Sequence, residues 1–117
     1  MRWLLIVSIA ACGDNGNTSG TGSCNASAVP QPSCEEYTNA SADELALDAE
    51  PMCSDDHGTW ADAPCSRTNV IGGCRGQIMG SHGSFTLTSW FYPGGPVVTG
   101  ADVMAKCTAL GEDFVAP

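Results

Sequence analysis

The sequence is short of positive charge. Its 117 residues carry 4 Lys and Arg against 13 Asp and Glu, a formal net charge of -9. Nucleic-acid phosphates are held by Lys and Arg, so the balance argues against DNA or RNA as a partner. It argues equally against a basic patch docking on anionic lipid. The only lysine is Lys106, so no Gly-rich loop ends in the lysine that cradles a nucleotide phosphate. Histidine is scarce too, with His57 and His82 alone. Ser81 and Ser84 lie too near His82 in sequence for a triad, and no Gly-x-Ser-x-Gly elbow occurs. No catalytic residue is therefore assigned, and no enzyme is expected. No apolar run approaches the about 20 residues that span a bilayer. A C-x-x-C pair is also missing, which removes the usual redox motif and the usual zinc ligand pair. No cofactor and no metal site is expected.

Cysteine is the residue in excess. There are seven, an odd number for so short a chain. The first follows Met1-Arg2-Trp3-Leu4-Leu5-Ile6-Val7-Ser8-Ile9-Ala10-Ala11, a single cation, an apolar stretch and then small residues, the order of a secretory signal. Ile9-Ala10-Ala11-Cys12 resembles a bacterial lipobox, in which small side chains admit the peptidase and the thiol accepts the diacylglyceryl group. The reading is a signal peptide over 1–11 and lipidation at Cys12. Ordinary signal cleavage is the alternative. With Cys12 acylated, Cys24, Cys34, Cys53, Cys65, Cys74 and Cys107 remain, and six can pair fully, as an oxidising compartment favours. Gly13 after the acylated cysteine favours the outer membrane, against Asp14 one place further.

Residues 12–33 are rich in Gly, Ser, Thr and Asn and read as a flexible linker. The folded part is expected over 34–117, small enough that disulfides supplement a thin core. Ser41 and Glu44 form a capping-box pattern that opens a helix over about 42–50, with Leu45, Ala49, Met52 and Cys53 on one face and Pro51 limiting the last turn. A second helix is expected over 100–110, with Val103, Cys107 and Leu110 as its apolar stripe and Gly111 as its stop. Phe85 to Tyr92 alternates. Phe85, Leu87 and Phe91 turn one way, and Thr86, Thr88, Trp90 and Tyr92 the other, the pattern of a strand. Asn69 to Cys74 is its expected partner, joined through a Gly-rich loop at 76–84.

Two stretches echo one another. Trp60 follows Cys53, and Phe114 follows Cys107, by the same interval, each after a helix. The expected order is β-α-β-β-β-α-β. The fold class is α+β, a small disulfide-stapled domain with two short helices on one face of a mainly antiparallel sheet. Cys34-Glu35-Glu36-Tyr37-Thr38, Cys53, Gly58-Thr59-Trp60, Ala63-Pro64-Cys65, Val70-Ile71-Gly72-Gly73-Cys74, Trp90-Phe91-Tyr92 and Cys107 resemble the small cysteine-rich lipoproteins predicted in myxobacterial genomes. The chain departs from that pattern at Pro64-Cys65, where the order is reversed, and at Glu112-Asp113-Phe114, where a second Gly-Thr-Trp is usual. The resemblance implies localisation and fold, and it supplies no catalytic residue.

Spacing does not choose among the pairings of six cysteines. The preferred reading joins Cys74 to Cys107, Cys53 to Cys65 and Cys24 to Cys34. Asp55-Asp56-His57 lacks the ordered oxygen spacing of a calcium loop and reads as a solvated turn. Nine acids lie between Glu35 and Asp62 with no Lys or Arg among them, a face suited to solubility, with a basic partner or divalent cations as the alternative. Trp90, Phe91 and Tyr92 form an aromatic edge; packing beneath the helices is the favoured reading, and a contact surface for protein or glycan is the alternative. The expected function is a lipid-anchored envelope protein acting as a binding or structural module. A secreted disulfide-rich effector or enzyme inhibitor without lipid is the alternative.

Overall fold

Side-chain alternation sets the architecture. The computed structural model describes residues 20–26 and 30–117. The lipobox and the signal segment lie outside the described residues. Six strands form one sheet: β1 (Gly20–Asn25), β2 (Ser33–Ala40), β3 (Thr59–Ala61), β4 (Gly72–Gly80), β5 (Gly83–Phe91) and β6 (Asp113–Val115). Their spatial order is β3-β1-β2-β5-β4-β6, and each pairing is antiparallel. Helix α1 is a π segment, Glu44–Ala49, continued by an α segment, Glu50–Asp55. Helix α2 is Gly100–Leu110.

Residues opposed across an antiparallel pair share a face. Tyr37 opposes Leu87, and Ile78 opposes Phe85, so the apolar set of β5 turns with them toward the helices. Beneath α1 lie Tyr37, Ala40, Ala49 and Phe85, with Leu45, Trp60, Ile78 and Leu87 packed around them. Beneath α2 lie Cys74, Phe91, Val97, Val103 and Cys107, with Ile71 and Phe114 beside them. Val103 is fully buried, which contributes about 1.5–3 kcal/mol. Both helices thus cover one face, as expected. The opposite face is covered by the segment 62–71, which packs Cys65 and Val70 on Cys34 and Trp90.

The echo in the sequence corresponds to an internal structural repeat. Hairpin β1–β2 leads to α1 and then to edge strand β3, which pairs with β1. Hairpin β4–β5 leads to α2 and then to edge strand β6, which pairs with β4. Each half is a β-β-α-β unit, and β2 meets β5 at the centre. In each half the helix cysteine bonds a strand cysteine, Cys53 to Cys24 and Cys107 to Cys74. That strand cysteine opposes the edge aromatic, Trp60 or Phe114. Two residues earlier stands Gly22 or Gly72, and the aromatic ring lies where its Cβ would be. Each helix ends alike. His57 and Gly111 have positive φ, and the amides of Gly58 and Glu112 close on the carbonyls of Cys53 and Cys107 at 2.8 Å.

The structure corrects several expectations. Gly20–Asn25 is a strand rather than linker, because β2 and β3 satisfy its backbone on both sides and Cys24 anchors it to α1. Cys74–Cys107 pairs as expected, but Cys24 joins Cys53 and Cys34 joins Cys65. Adding β1 to the sheet brings Cys24 under α1, which decides the other two bonds. Helix α1 continues past Pro51. A proline ring clashes with the carbonyl four residues back in an α-helix, and the wider π turn just before it relieves that clash. Leu110 is 64% exposed and Met52 57% exposed, so neither belongs to the core stripe. The Gly-rich segment 76–84 is mostly strand, and the hairpin turn is only Ser81-His82 between paired Gly80 and Gly83.

Candidate functional site

The tip of hairpin β4–β5 closes against the start of α1. Ser41 organises the junction. Its Oγ accepts the Glu44 amide at 3.1 Å and donates to the His82 carbonyl at 3.0 Å. The expected capping box is therefore half formed. The Glu44 carboxylate does not return to Ser41; its Oε1 accepts the His82 amide at 2.9 Å. Glu44 is 4% exposed, and its carboxylate fills the space where a Cβ at Gly80 would stand. Asp48, four residues along the same helix, places Oδ2 2.8 Å from His82 Nδ1. One donor atom from each of Glu44, Asp48 and His82 lies within 4.8 Å of the others. The hydrogen bond to Asp48 raises the His82 imidazole above its ordinary value. Partial desolvation opposes this, and the charges of Asp48, Glu44 and Asp43 add to it.

This junction is one wall of a cleft of about 550 Å³ between α1 and the hairpin. Its apolar lining includes Leu47, Met52, Ile78, Met79, Phe85 and Leu87, and its acids are Glu35, Glu44, Asp48 and Asp55. No Lys or Arg among the described residues lines it. Leu47 is 58% and Met79 87% exposed, so the rim presents apolar surface to water. The Tyr37 phenol on the cleft floor is pushed up to about 12 by burial, with Glu35, Asp56 and Glu44 adding. Glu35 is exposed, yet desolvation by its surroundings and the charges of Asp56 and Glu112 raise its carboxyl above the ordinary value.

Of the aromatic edge, Trp90 and Phe91 are packed, the favoured reading, and Tyr92 is half-buried, so the alternative contact surface does not form. Trp90 is 0% and Phe91 9% exposed. Phe91 packs beneath α2, while Trp90 lies on the other face under 62–71, with the Arg67 guanidinium 4.0 Å from its ring centroid. Arg67 also reaches Glu36 Oε2 at 3.4 Å, and Glu36 Oε1 accepts the Cys65 amide at 3.0 Å. Tyr92 spends its hydroxyl on the Ser66 carbonyl at 2.6 Å. The two sheet faces are thus both covered, Phe91 by α2 and Trp90 by the connecting segment. Asp55, Asp56 and His57 are exposed at the end of α1, and His57 serves there as the left-handed cap. Cys24, Cys34, Cys53, Cys65, Cys74 and Cys107 are all disulfide-bonded, and Cys12 lies outside the described residues. Three disulfides belong to an oxidising, non-cytoplasmic compartment. No helix among the described residues is long and apolar enough to cross a membrane.

Sequence reasoning missed the set Glu44, Asp48 and His82. Glu44 and Asp48 are neighbours on one helix, a signal available locally. His82 is 34 residues beyond Asp48, and nothing local connects them. Comparison with protein-family models, with curated proteins and with solved structures finds no match.

Proposed function

We propose that the chain is a bacterial envelope protein, lipid-anchored through Cys12, whose folded domain is a binding module rather than a catalyst. The observation that carries the binding role is the open cleft beside α1, apolar at its floor and rim and acidic at its walls. Its complement is a protein segment that brings apolar side chains together with Lys or Arg. The disulfides support the anchor: they use six of the seven cysteines, and Cys12 of the lipobox is the one remaining.

Mass spectrometry of the mature protein tests the anchor. A diacyl-modified N-terminal cysteine is expected, and a free N-terminus without lipid mass supports the secreted alternative instead. Titration with two designed peptides of equal apolar content, one rich in lysine and one in glutamate, tests the cleft. The lysine peptide is expected to bind, and Leu47→Ser with Met79→Ser to weaken it without changing the charge. Equal binding of both peptides, or no effect of the double substitution, rejects the cleft as the site.

A further inference from the structure

We infer that Glu44, Asp48 and His82 form a binding site for a first-row divalent cation of the zinc class, joining helix α1 to the tip of the β4–β5 hairpin. The inference shares Glu44 and Asp48 with the cleft but does not depend on its proposed peptide partner.

Three observations converge. First, the donors are one imidazole nitrogen and two carboxylates, the mixture that suits Zn²⁺ and its neighbours better than Ca²⁺ or Mg²⁺, which prefer oxygen only. Second, Glu44 is 4% exposed yet is paired with no cationic side chain among the described residues. Its Oε1 takes the His82 amide hydrogen bond. A buried carboxylate without a cationic partner is unfavourable, and a bound cation supplies that partner. Third, the supports of the site are already built. The His82 amide and carbonyl are held by Glu44 and Ser41, which orients the imidazole toward α1. Gly80 leaves the room that the Glu44 carboxylate occupies.

The geometry is near what a metal requires. Donors in a tetrahedral zinc site with bonds of about 2.1 Å stand about 3.4 Å apart. The present separations run from 2.8 Å, between His82 and Asp48, up to the 4.8 Å that bounds the group. Entry of the ion therefore opens one pair by about half an ångström and draws the third donor in by at most about 1.4 Å. Asp48 and His82 are partly exposed and have freedom for that adjustment. The ion takes the place of the hydrogen shared between Nδ1 and Oδ2, and water completes its shell.

The test is titration of the full chain with Zn²⁺ by calorimetry, with Co²⁺ read by its visible spectrum. Ca²⁺ and Mg²⁺ serve as controls. One Zn²⁺ site per chain is expected, with Co²⁺ bands of imidazole and carboxylate ligation. Loss of mere outer-shell partners costs about 10- to 100-fold in metal affinity. His82→Gln and Asp48→Asn are therefore each expected to weaken Zn²⁺ by at least about 10-fold, while His57→Gln leaves it unchanged. His57 and His82 are exposed and Asp48 is partly so, and cooperative unfolding of each variant without metal confirms that it folds. Absence of Zn²⁺ binding to the unaltered chain overturns the inference. So does binding that survives His82→Gln, or that Ca²⁺ matches in affinity.

Discussion

The indole of Trp60 occupies the space that a side chain at Gly22 would need. The same ring lies 5.7 Å, centroid to centroid, from Tyr37, so a single glycine lets edge strand β3 seal the core under α1. Gly22→Ala is expected to displace Trp60. Overpacking costs about 1–3 kcal/mol, against a gain of about 0.5–1 kcal/mol for replacing glycine in a strand. The midpoints of those two ranges leave a net loss of about 1 kcal/mol. Gly72→Ala is expected to act likewise, since its Cβ would stand 2.9 Å from Phe114. Gly100→Ala meets nothing within 4 Å and is the control, neutral or stabilising. Urea unfolding of the three variants decides the matter, and a neutral Gly22→Ala would contradict the packing.

The disulfides yield a second prediction. Peptide mapping without reduction is expected to find Cys24–Cys53, Cys34–Cys65 and Cys74–Cys107. Replacing Cys74 and Cys107 together by alanine is expected to cost about 2–5 kcal/mol. Both sulfurs are buried beneath α2, and that bond is its covalent tie to the sheet. A fragment joining Cys24 to Cys34 would refute the pairing.

Glu35 gives a pH prediction. Its carboxyl is raised above the ordinary 4.5, first by desolvation and then by Asp56 at the end of α1 and Glu112 before β6. The folded chain thus holds this proton more tightly than the unfolded chain. The resulting stability is full below the unfolded value and is lost as pH rises through the folded one. Glu35→Gln is expected to be more stable than the parent near neutrality and to flatten the profile above pH 4.5. Denaturant midpoints measured across the acid range check this, and parallel profiles for the two proteins would sink it.

The cap of α2 acts with the opposite sign. Thr99 Oγ1 accepts the Asp102 amide at 3.2 Å, and Asp102 Oδ2 accepts the Val98 and Thr99 amides at 3.0 Å each. Those bonds lower the Asp102 carboxyl below its ordinary 3.8. Its contribution is present above that value and is lost as pH falls through the folded one. Thr99→Ala is expected to cost about 1 kcal/mol. Asp102→Asn is expected to remove the acid-side loss associated with this group. Thermal unfolding at neutral and acid pH measures both.

Much of the local structure was legible in the residues. The alternation of β5, the extent of α2 and its glycine stop, and the likeness of Cys53-to-Trp60 with Cys107-to-Phe114 are short-range patterns. Ser41 was legible as a cap, but the destination of Glu44 was not. Its side chain meets an amide on the far hairpin, and no interval in the sequence encodes that meeting. Gly20–Asn25 was illegible for a different reason. Its composition is that of a tether, and it is a strand only because two neighbours satisfy its backbone.

By itself the sequence determined the α+β class, the two helices on one face and the supply of six cysteines for pairing, because periodicity states which way each side chain turns. The tertiary structure alone decided which cysteines meet, that Trp90 is covered rather than presented, and that His82 comes to Glu44 and Asp48. Those outcomes depend on what lies across the sheet from each residue. That is settled when the two β-β-α-β halves close on one another through β2 and β5.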